Sequence, residues 1–133
     1  MKRVFLIMLV IPFLLLTGCS SSTLEKISFN ELKEKLTNKE SFIIYFTGED
    51  DTLKEKLETA LKSNNLTGFY IDSAKISNDE KLDLETNIAY EESSIVFVLN
   101  GNDPTKLSHI TNKDITIKDI TARLIDMNYI KAE

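Results

Sequence analysis

The sequence is poor in the residues on which many active sites are built. Its 133 residues include one cysteine and one histidine. A single cysteine leaves no partner for a disulfide, so a folded domain must depend on its apolar core for stability. The only histidine, His109, has no second histidine or cysteine near it in the sequence. We therefore expect it to be a strand residue rather than a metal ligand or part of a catalytic dyad.

Other motifs that carry chemistry are missing as well. No glycine-rich phosphate loop occurs among the four glycines, and no nucleophile elbow supports a Ser/His/Asp arrangement. The acidic stretch Glu49-Asp50-Asp51 lacks the D-x-D-x-D-G spacing of a calcium loop. A net charge of -5 disfavours nucleic acid as a partner. We predict no metal site and no cofactor.

The first apolar run is too short to cross a membrane. Lys2 and Arg3 precede 13 apolar residues, 4–16, which only Pro12 interrupts. A membrane-spanning helix needs about 20 residues to cross roughly 30 Å of hydrocarbon. A shorter run behind a basic start is typical of a secretory signal.

The run ends in Leu16-Thr17-Gly18-Cys19, which resembles the lipobox of bacterial lipoprotein precursors. A thiol at this position can form a thioether with diacylglycerol, and small residues before it admit the signal peptidase. The resemblance implies cleavage after Gly18 and lipidation of Cys19, with fatty acyl chains such as palmitate. The alternative is an ordinary signal peptide with an incidental cysteine, which the position of the chain's only cysteine disfavours.

Removal of the signal segment, 1–18, leaves 115 residues, which is the size of a single domain. Lys2 and Arg3 leave with it, so 14 basic residues face 21 acidic ones and the formal charge becomes -7. Such a domain is not attracted to anionic headgroups, so lipid must hold it on the membrane. We predict a lipid-anchored protein on the extracytoplasmic face of the cell membrane, with a short tether at 19–26 and a domain at 27–133.

The domain alternates helix and strand patterns. Ser28 and Glu31 form a capping box, followed by a helix over about 29–37. The continuous apolar run Phe42–Phe46 is typical of a central strand buried on both faces. The apolar residues Leu53, Leu57, Ala60 and Leu61 then lie on one helical face. Further predicted elements are a strand at 68–72, a helix at 78–88, strands at 94–99 and 107–110, and a C-terminal helix at 117–127 that Thr116 and Asp119 cap.

This order predicts an α/β fold with three layers, in which helices flank a central mixed sheet. Helical crossovers join parallel strands and lie on both faces of the sheet. The turn signal Asn100-Gly101 after the 94–99 strand adds an antiparallel edge.

Residues 27–127 resemble a thioredoxin-fold domain, particularly the small exported ones of Gram-positive bacteria. The strand Phe42–Phe46 is similar to the strand that precedes the redox loop in that family. Residues 92–101, Glu-Ser-Ser-Ile-Val-Phe-Val-Leu-Asn-Gly, are similar to its later T-P-T segment, strand and turn. The resemblance implies that the loop at 47–52 stands where the family has its redox centre.

That loop lacks the family's C-x-x-C motif. The two cysteine positions align with Asp50 and Leu53, or with Asp51 and Lys54. The family's cis-proline aligns with Ser93, and we expect the preceding peptide bond to be trans because a cis bond before a non-proline residue costs about 2.5–4 kcal/mol. Since disulfide exchange needs a thiolate, we predict that the domain is not a thiol–disulfide oxidoreductase.

The resemblance also implies a peptide groove beside the loop, bordered by Thr47, Gly48, Tyr90, Glu92 and Ser93. The alternative is that the four tyrosines of the chain only pack at the sheet ends: Tyr45, Tyr70, Tyr90 and Tyr129. We expect a non-catalytic lipoprotein that binds an envelope or export protein. An enzyme of unrecognised chemistry and an immunity-type lipoprotein that sequesters a toxin are the alternatives.

Overall fold

The protein is described by a computed structural model that covers residues 23–88, 90–101 and 109–131, except for the side chain of Asn87. The predicted signal segment and lipidated Cys19 lie outside these residues. The strands are β1 (Leu24–Lys26), β2 (Phe42–Phe46), β3 (Gly68–Ile71), β4 (Ser94–Val98) and β5 (His109–Ile110). The helices within the described residues are α1 (Phe29–Thr37), α2 (Thr52–Ser63), α3 (Asn78–Ile88) and α4 (Ile117–Asp126), with a 3-10 turn at Ser73–Lys75.

The five strands form one mixed sheet in the order β1-β3-β2-β4-β5. Strands β1, β3 and β2 run parallel, while β4 is antiparallel to both β2 and β5. The thioredoxin-like arrangement required β2 and β4 to be neighbours, and they pair from Phe42 with Val98 to Phe46 with Ser94. The predicted α/β fold with a mixed central sheet is confirmed.

Side chains of β2 contact the helices on both faces of the sheet and so join the three layers. Alternate residues contact opposite helix layers: Ile43 and Tyr45 lie in the core formed with α2 and α4. Phe42, Ile44 and Phe46 lie in the core formed with α1 and α3. All five side chains are buried, which is why the strand reads as an unbroken apolar run.

The helix starts follow local hydrogen-bonding rules. The backbone N–H of Glu31 donates to Ser28 Oγ at 3.2 Å, and the N–H of Ser28 donates to the Glu31 carboxylate at 3.1 Å. The second predicted capping box also forms, between Thr116 and Asp119. A third box, which our sequence analysis did not identify, begins α3 with the same S-x-x-E pattern at residues 77–80.

The sheet begins earlier than the sequence predicted. Residues 24–26, which we assigned to the tether, form β1 and pair with β3 from Leu24 opposite Gly68 to Lys26 opposite Tyr70. Three residues are too few to show a strand periodicity, so only the partner strand reveals them. At the opposite side of the sheet from β1, His109 lies in the outer strand β5, as predicted. Residues 107 and 108 of that predicted strand fall outside the described residues.

The turn after β4 has the backbone conformation that its sequence predicts. Asn100 and Gly101 both have positive φ, 53° and 77°, as a type I′ turn requires. The N–H of Gly101 donates to the Glu40 carbonyl at 2.9 Å, which brings this turn against the chain that enters β2. Within the described ranges, no helix is long and apolar enough to cross a bilayer.

Candidate functional site

The parallel strands end at one edge of the sheet, which we call the carboxyl edge (residues 47–52, 72–75 and 91–93). The opposite edge, where these strands begin, is the amino edge (residues 23, 39–41, 65–68 and 100–101). Antiparallel β4 starts at the carboxyl edge because Ser94 pairs with Phe46. Open α/β sheets bind ligands outside the carboxyl ends of their strands, so we expect a binding site at the carboxyl edge.

The loop after β2 packs directly on the segment before β4. A Cβ atom added to Gly48 would lie 2.0 Å from Ser93 Oγ and 2.9 Å from the Ser93 nitrogen, so only glycine fits at this approach. Ser93 has a left-handed φ of 57°. No cis peptide bond occurs in the described residues, so the bond before Ser93 is trans, as expected.

A cavity of about 240 Å³ lies between these segments and the end of β3. Its lining comprises Thr47, Gly48, Glu49, Asp72, Ser73, Ala74 and Glu92. Three of the five residues predicted to border a groove therefore line it, and Ser93 lies behind Gly48. The lining has three carboxylates and no basic side chain.

Tyr90, which was predicted to border the groove, does not line this cavity. Its ring is buried in the α1–α3 side of the core, where it meets Phe46 edge to face with centroids 4.8 Å apart. Its hydroxyl has no hydrogen-bond partner among the described residues. The alternative holds for this tyrosine, because burying an aromatic ring against Phe46 removes a large apolar area from water.

The floor of the cavity ties the ends of β2 and β3 together. The N–H of Thr47 donates to the Ile71 carbonyl at 3.2 Å, and the N–H of Ser73 donates to Thr47 Oγ1 at 3.0 Å. Ser73 is 2% exposed, and within the described residues its Oγ has no hydrogen-bond partner. A buried hydroxyl without a partner loses its hydration, so it can gain from a ligand group that pairs with it.

Asp72, Ser73 and Ala74 line the cavity but were not predicted as site residues. The Asp72 carboxylate accepts from the Ala74 N–H at 3.1 Å and starts the 3-10 turn. Asp72 is the last residue of the predicted strand at 68–72, Ser73 and Ala74 follow it, and parallel strands end at the same edge of a sheet. That rule could have identified them as neighbours of the loop at 47–52.

Two of the three acidic residues in the loop hold its shape. Asp51 Oδ1 accepts from the Tyr45 hydroxyl at 2.9 Å and from the Gly48 N–H at 3.3 Å. Asp50 accepts from the Thr52 N–H at 3.0 Å and from the Thr52 hydroxyl. Its other oxygen lies 3.3 Å from Lys113 Nζ. Glu49, in contrast, is exposed and lines the cavity.

These contacts set the protonation of the loop. The hydrogen bonds from Thr52, followed by the contact with Lys113, lower the pKa of Asp50 to about 2. Burial, and next the acceptor carboxylate of Asp51, raise the pKa of Tyr45 well above its usual range, while the Ser93 hydroxyl has a smaller opposite effect. At neutral pH Asp50 is therefore ionised, and Tyr45 is a neutral phenol that donates to Asp51.

The residues that our sequence comparison placed opposite the redox cysteines, Asp50, Asp51, Leu53 and Lys54, have structural contacts in this domain. Asp51 stands at the N-cap of α2, and Lys54 Nζ lies 4.1 Å from the centre of the Tyr70 ring. Leu53 is buried in the core. In the part of the chain that the structure describes, no three His, Cys, Asp or Glu side chains are grouped to hold a metal ion. The edge offers charge and hydrogen bonds rather than a nucleophile.

Comparison with known proteins adds no relative: no protein-family model matches the chain, and no curated protein is significantly similar in sequence.

Proposed function

We propose that this protein is a lipid-anchored extracytoplasmic lipoprotein whose redox-inactive, thioredoxin-like domain binds an envelope or export protein. The observation that carries the proposal is the composition of the carboxyl edge. Where the family has its redox centre, this chain has a cavity lined by Glu49, Asp72 and Glu92 and no sulfur. We further propose that the anchor is lipid on Cys19.

Binding, rather than disulfide exchange, fits the residues at this edge. The only sulfhydryl of the chain is Cys19, and a lipidated Cys19 cannot act as a thiolate. The carboxylates, in contrast, suit a cationic ligand. The Glu92 carboxylate already pairs with Lys81 Nζ at 3.3 Å. Both side chains are partly exposed, so Glu92 can exchange Lys81 for another cation. A lysine or arginine side chain of an extended segment is the complementary group.

The Ser73 hydroxyl beneath the cavity can bond to a peptide backbone only where a ligand displaces the atoms that cover it, because its Oγ is fully buried. Once reached, it can donate to a carbonyl or accept from an N–H group, since it has no hydrogen-bond partner in the described residues. A volume of about 240 Å³ is suited to one side chain rather than to a folded domain. The partner surface we propose is therefore a basic, extended segment of an envelope protein.

Site-specific photo-crosslinking in the membranes of the native host tests this proposal. Ala74 lines the cavity, whereas Ala122 is an exposed alanine on α4 that serves as the matched control. With p-benzoylphenylalanine at each position, we expect one discrete adduct at 74 and none at 122. Equal adduct patterns at the two positions would contradict a site at the carboxyl edge.

Charge reversal then tests the chemistry of the contact. We expect Glu49→Lys with Glu92→Lys to reduce the adduct at position 74 by at least about tenfold, since like charges across an interface cost several kcal/mol. Glu55→Lys with Glu85→Lys makes the same charge change at exposed positions of α2 and α3 and should leave the adduct unchanged. An unaffected adduct in the first variant would exclude a cationic partner segment.

An insulin-reduction assay tests the absence of redox function. We expect the lipid-anchored protein to give no rate above background, next to a C-x-x-C thioredoxin as positive control, because no thiolate is present to attack the disulfide. A measurable rate would show that our account of the 47–52 loop is wrong.

A further inference from the structure

We infer that the domain stands on the membrane with the amino edge of its sheet down and the acidic carboxyl edge facing away. The inference depends on the proposed lipid anchor at Cys19. It follows from where the chain enters the sheet, from the length of chain before that point, and from the distribution of charge between the two edges.

The chain enters the sheet at the amino edge. The Thr23 carbonyl accepts from the Gly68 N–H at 2.9 Å, and Leu24 is the first residue of β1. Strand β1 then runs parallel to β3 and β2 toward the carboxyl edge. The anchored end of the folded domain is thus at the opposite end of the strands from the cavity.

The tether is too short to allow the reverse orientation. Only residues 20–22 separate Cys19 from Thr23, so the four Cα–Cα steps between them extend about 14 Å at 3.3–3.6 Å each. The five residues of β2 make four Cα–Cα steps and span about 13 Å, and the loops at 47–52 and 72–75 extend beyond the carboxyl ends of the strands. With the carboxyl edge against the headgroups, the strands alone would use the whole extended length of the tether, and none would remain for the loops that lie between the strands and the headgroups.

The charges favour the same orientation. The segments of the carboxyl edge have six acidic residues and one lysine: Glu49, Asp50, Asp51, Asp72, Glu91 and Glu92 with Lys75. Lys113 and Lys81 pair with Asp50 and Glu92 from neighbouring segments, so acidic residues still outnumber basic ones by six to three. In the amino edge Lys39 and Glu40 balance each other. An anionic bilayer repels the first surface and is indifferent to the second. The cavity is therefore held away from the headgroups, where a segment projecting from a partner can enter it.

Energy transfer to the bilayer tests this orientation in the full-length lipidated protein. Thr67 and Ala74 are exposed residues just before and just after β3, so Thr67→Cys and Ala74→Cys mark the two edges. Once Cys19 is lipidated, each new cysteine is the only free thiol and takes one donor dye. The vesicles contain phosphatidylglycerol, phosphatidylethanolamine and a headgroup-labelled acceptor lipid.

We expect transfer at position 67 to exceed transfer at position 74 at least about twofold, given the roughly 13 Å depth of the strands and the loops beyond them. Equal or reversed efficiencies on vesicle-bound protein would overturn the orientation. A protein that carries no lipid by mass spectrometry and does not float with vesicles would overturn the anchor, and with it the proposed function. These two failures are distinguishable because flotation is measured on the same samples.

A longer tether provides the second variant. Ten inserted Gly and Ser residues after Ser21 extend the reach of the chain beyond the depth of the sheet, since each adds up to about 3.3–3.6 Å. We expect the contrast between positions 67 and 74 to shrink on vesicles made from neutral phosphatidylcholine. A contrast that persists there would show that tether length does not set the orientation.

Discussion

Tyr45 and Tyr129 make hydrogen bonds at opposite edges of the same sheet, and their surroundings differ. At the carboxyl edge the Tyr45 hydroxyl donates to the side chain of Asp51, in a loop shaped largely by side-chain contacts. At the amino edge the Tyr129 hydroxyl lies 2.9 Å from the Phe42 carbonyl and 2.7 Å from the Val98 carbonyl. The second tyrosine thus satisfies backbone groups at the ends of two paired strands.

The difference separates structure from proposed function. The Tyr129 hydroxyl lies within hydrogen-bond distance of two backbone carbonyls, which is a structural task. At the carboxyl edge, in contrast, Ser73 Oγ has no hydrogen-bond partner within the described residues, and the Glu49 carboxylate is exposed. Glu92 is also exposed and pairs with Lys81. These are the groups that we propose for contact with a partner.

The largest effect is expected where the loop meets the segment before β4. Gly48→Ala adds a methyl group that would overlap Ser93, and we expect a loss of unfolding free energy of about 1–3 kcal/mol by chemical denaturation. Ser93→Gly in the same background removes the Oγ contact and should restore part of the loss. Unchanged stability of Gly48→Ala would mean that the loop does not pack this closely.

The next effect belongs to the amino edge. Tyr129→Phe leaves the carbonyls of Phe42 and Val98 without the hydroxyl, and we expect a destabilisation of about 1–2 kcal/mol. Thermal unfolding followed by circular dichroism measures it. The adduct at position 74 should be unchanged under conditions where the variant is folded, and its loss would show that the two edges are coupled.

Tyr45→Phe should have a smaller effect on stability but a clearer one on the site. Asp51 keeps the Gly48 N–H and faces solvent, so we expect a loss of about 0.5–1.5 kcal/mol. The loop at 47–52 loses the hydrogen bond between Tyr45 and Asp51, so we expect a lower yield of the crosslinked adduct at position 74. If Tyr45→Phe destabilised the protein more than Tyr129→Phe, our comparison of the two edges would be reversed.

The smallest effect is the pH dependence of Asp50. Its pKa is lowered in the folded protein, so its contribution to stability is complete above the ordinary pKa of 3.8 and is lost as the pH falls toward about 2. Carboxyl NMR titration of the folded protein should show a midpoint near 2 for Asp50. Lys113→Ala should raise it slightly and Thr52→Val more, whereas a midpoint at the ordinary value would contradict the contacts.

Several features of the fold could be predicted because their causes are local. The capping residues Ser28 and Thr116 bond to groups three residues away, so sequence spacing suffices to place the helix starts. The apolar run of β2 indicates burial on both faces for the same reason. Asp72 and Ser73 could not be predicted in the same way. They lie beside the loop at 47–52 only because β3 pairs with β2, and short-range sequence patterns do not show strand order.

The sequence by itself determined the alternation of helices and strands, the two capping boxes that we predicted and the absence of sulfur from the 47–52 loop, since composition and short-range hydrogen bonding decide all three. Only the tertiary structure decided that residues 24–26 join the sheet, that Tyr90 belongs to the core, and that Ser73 lies beneath a cavity of carboxylates. These features depend on contacts between segments far apart in the chain, where pairing and burial, rather than local propensity, set the free energy.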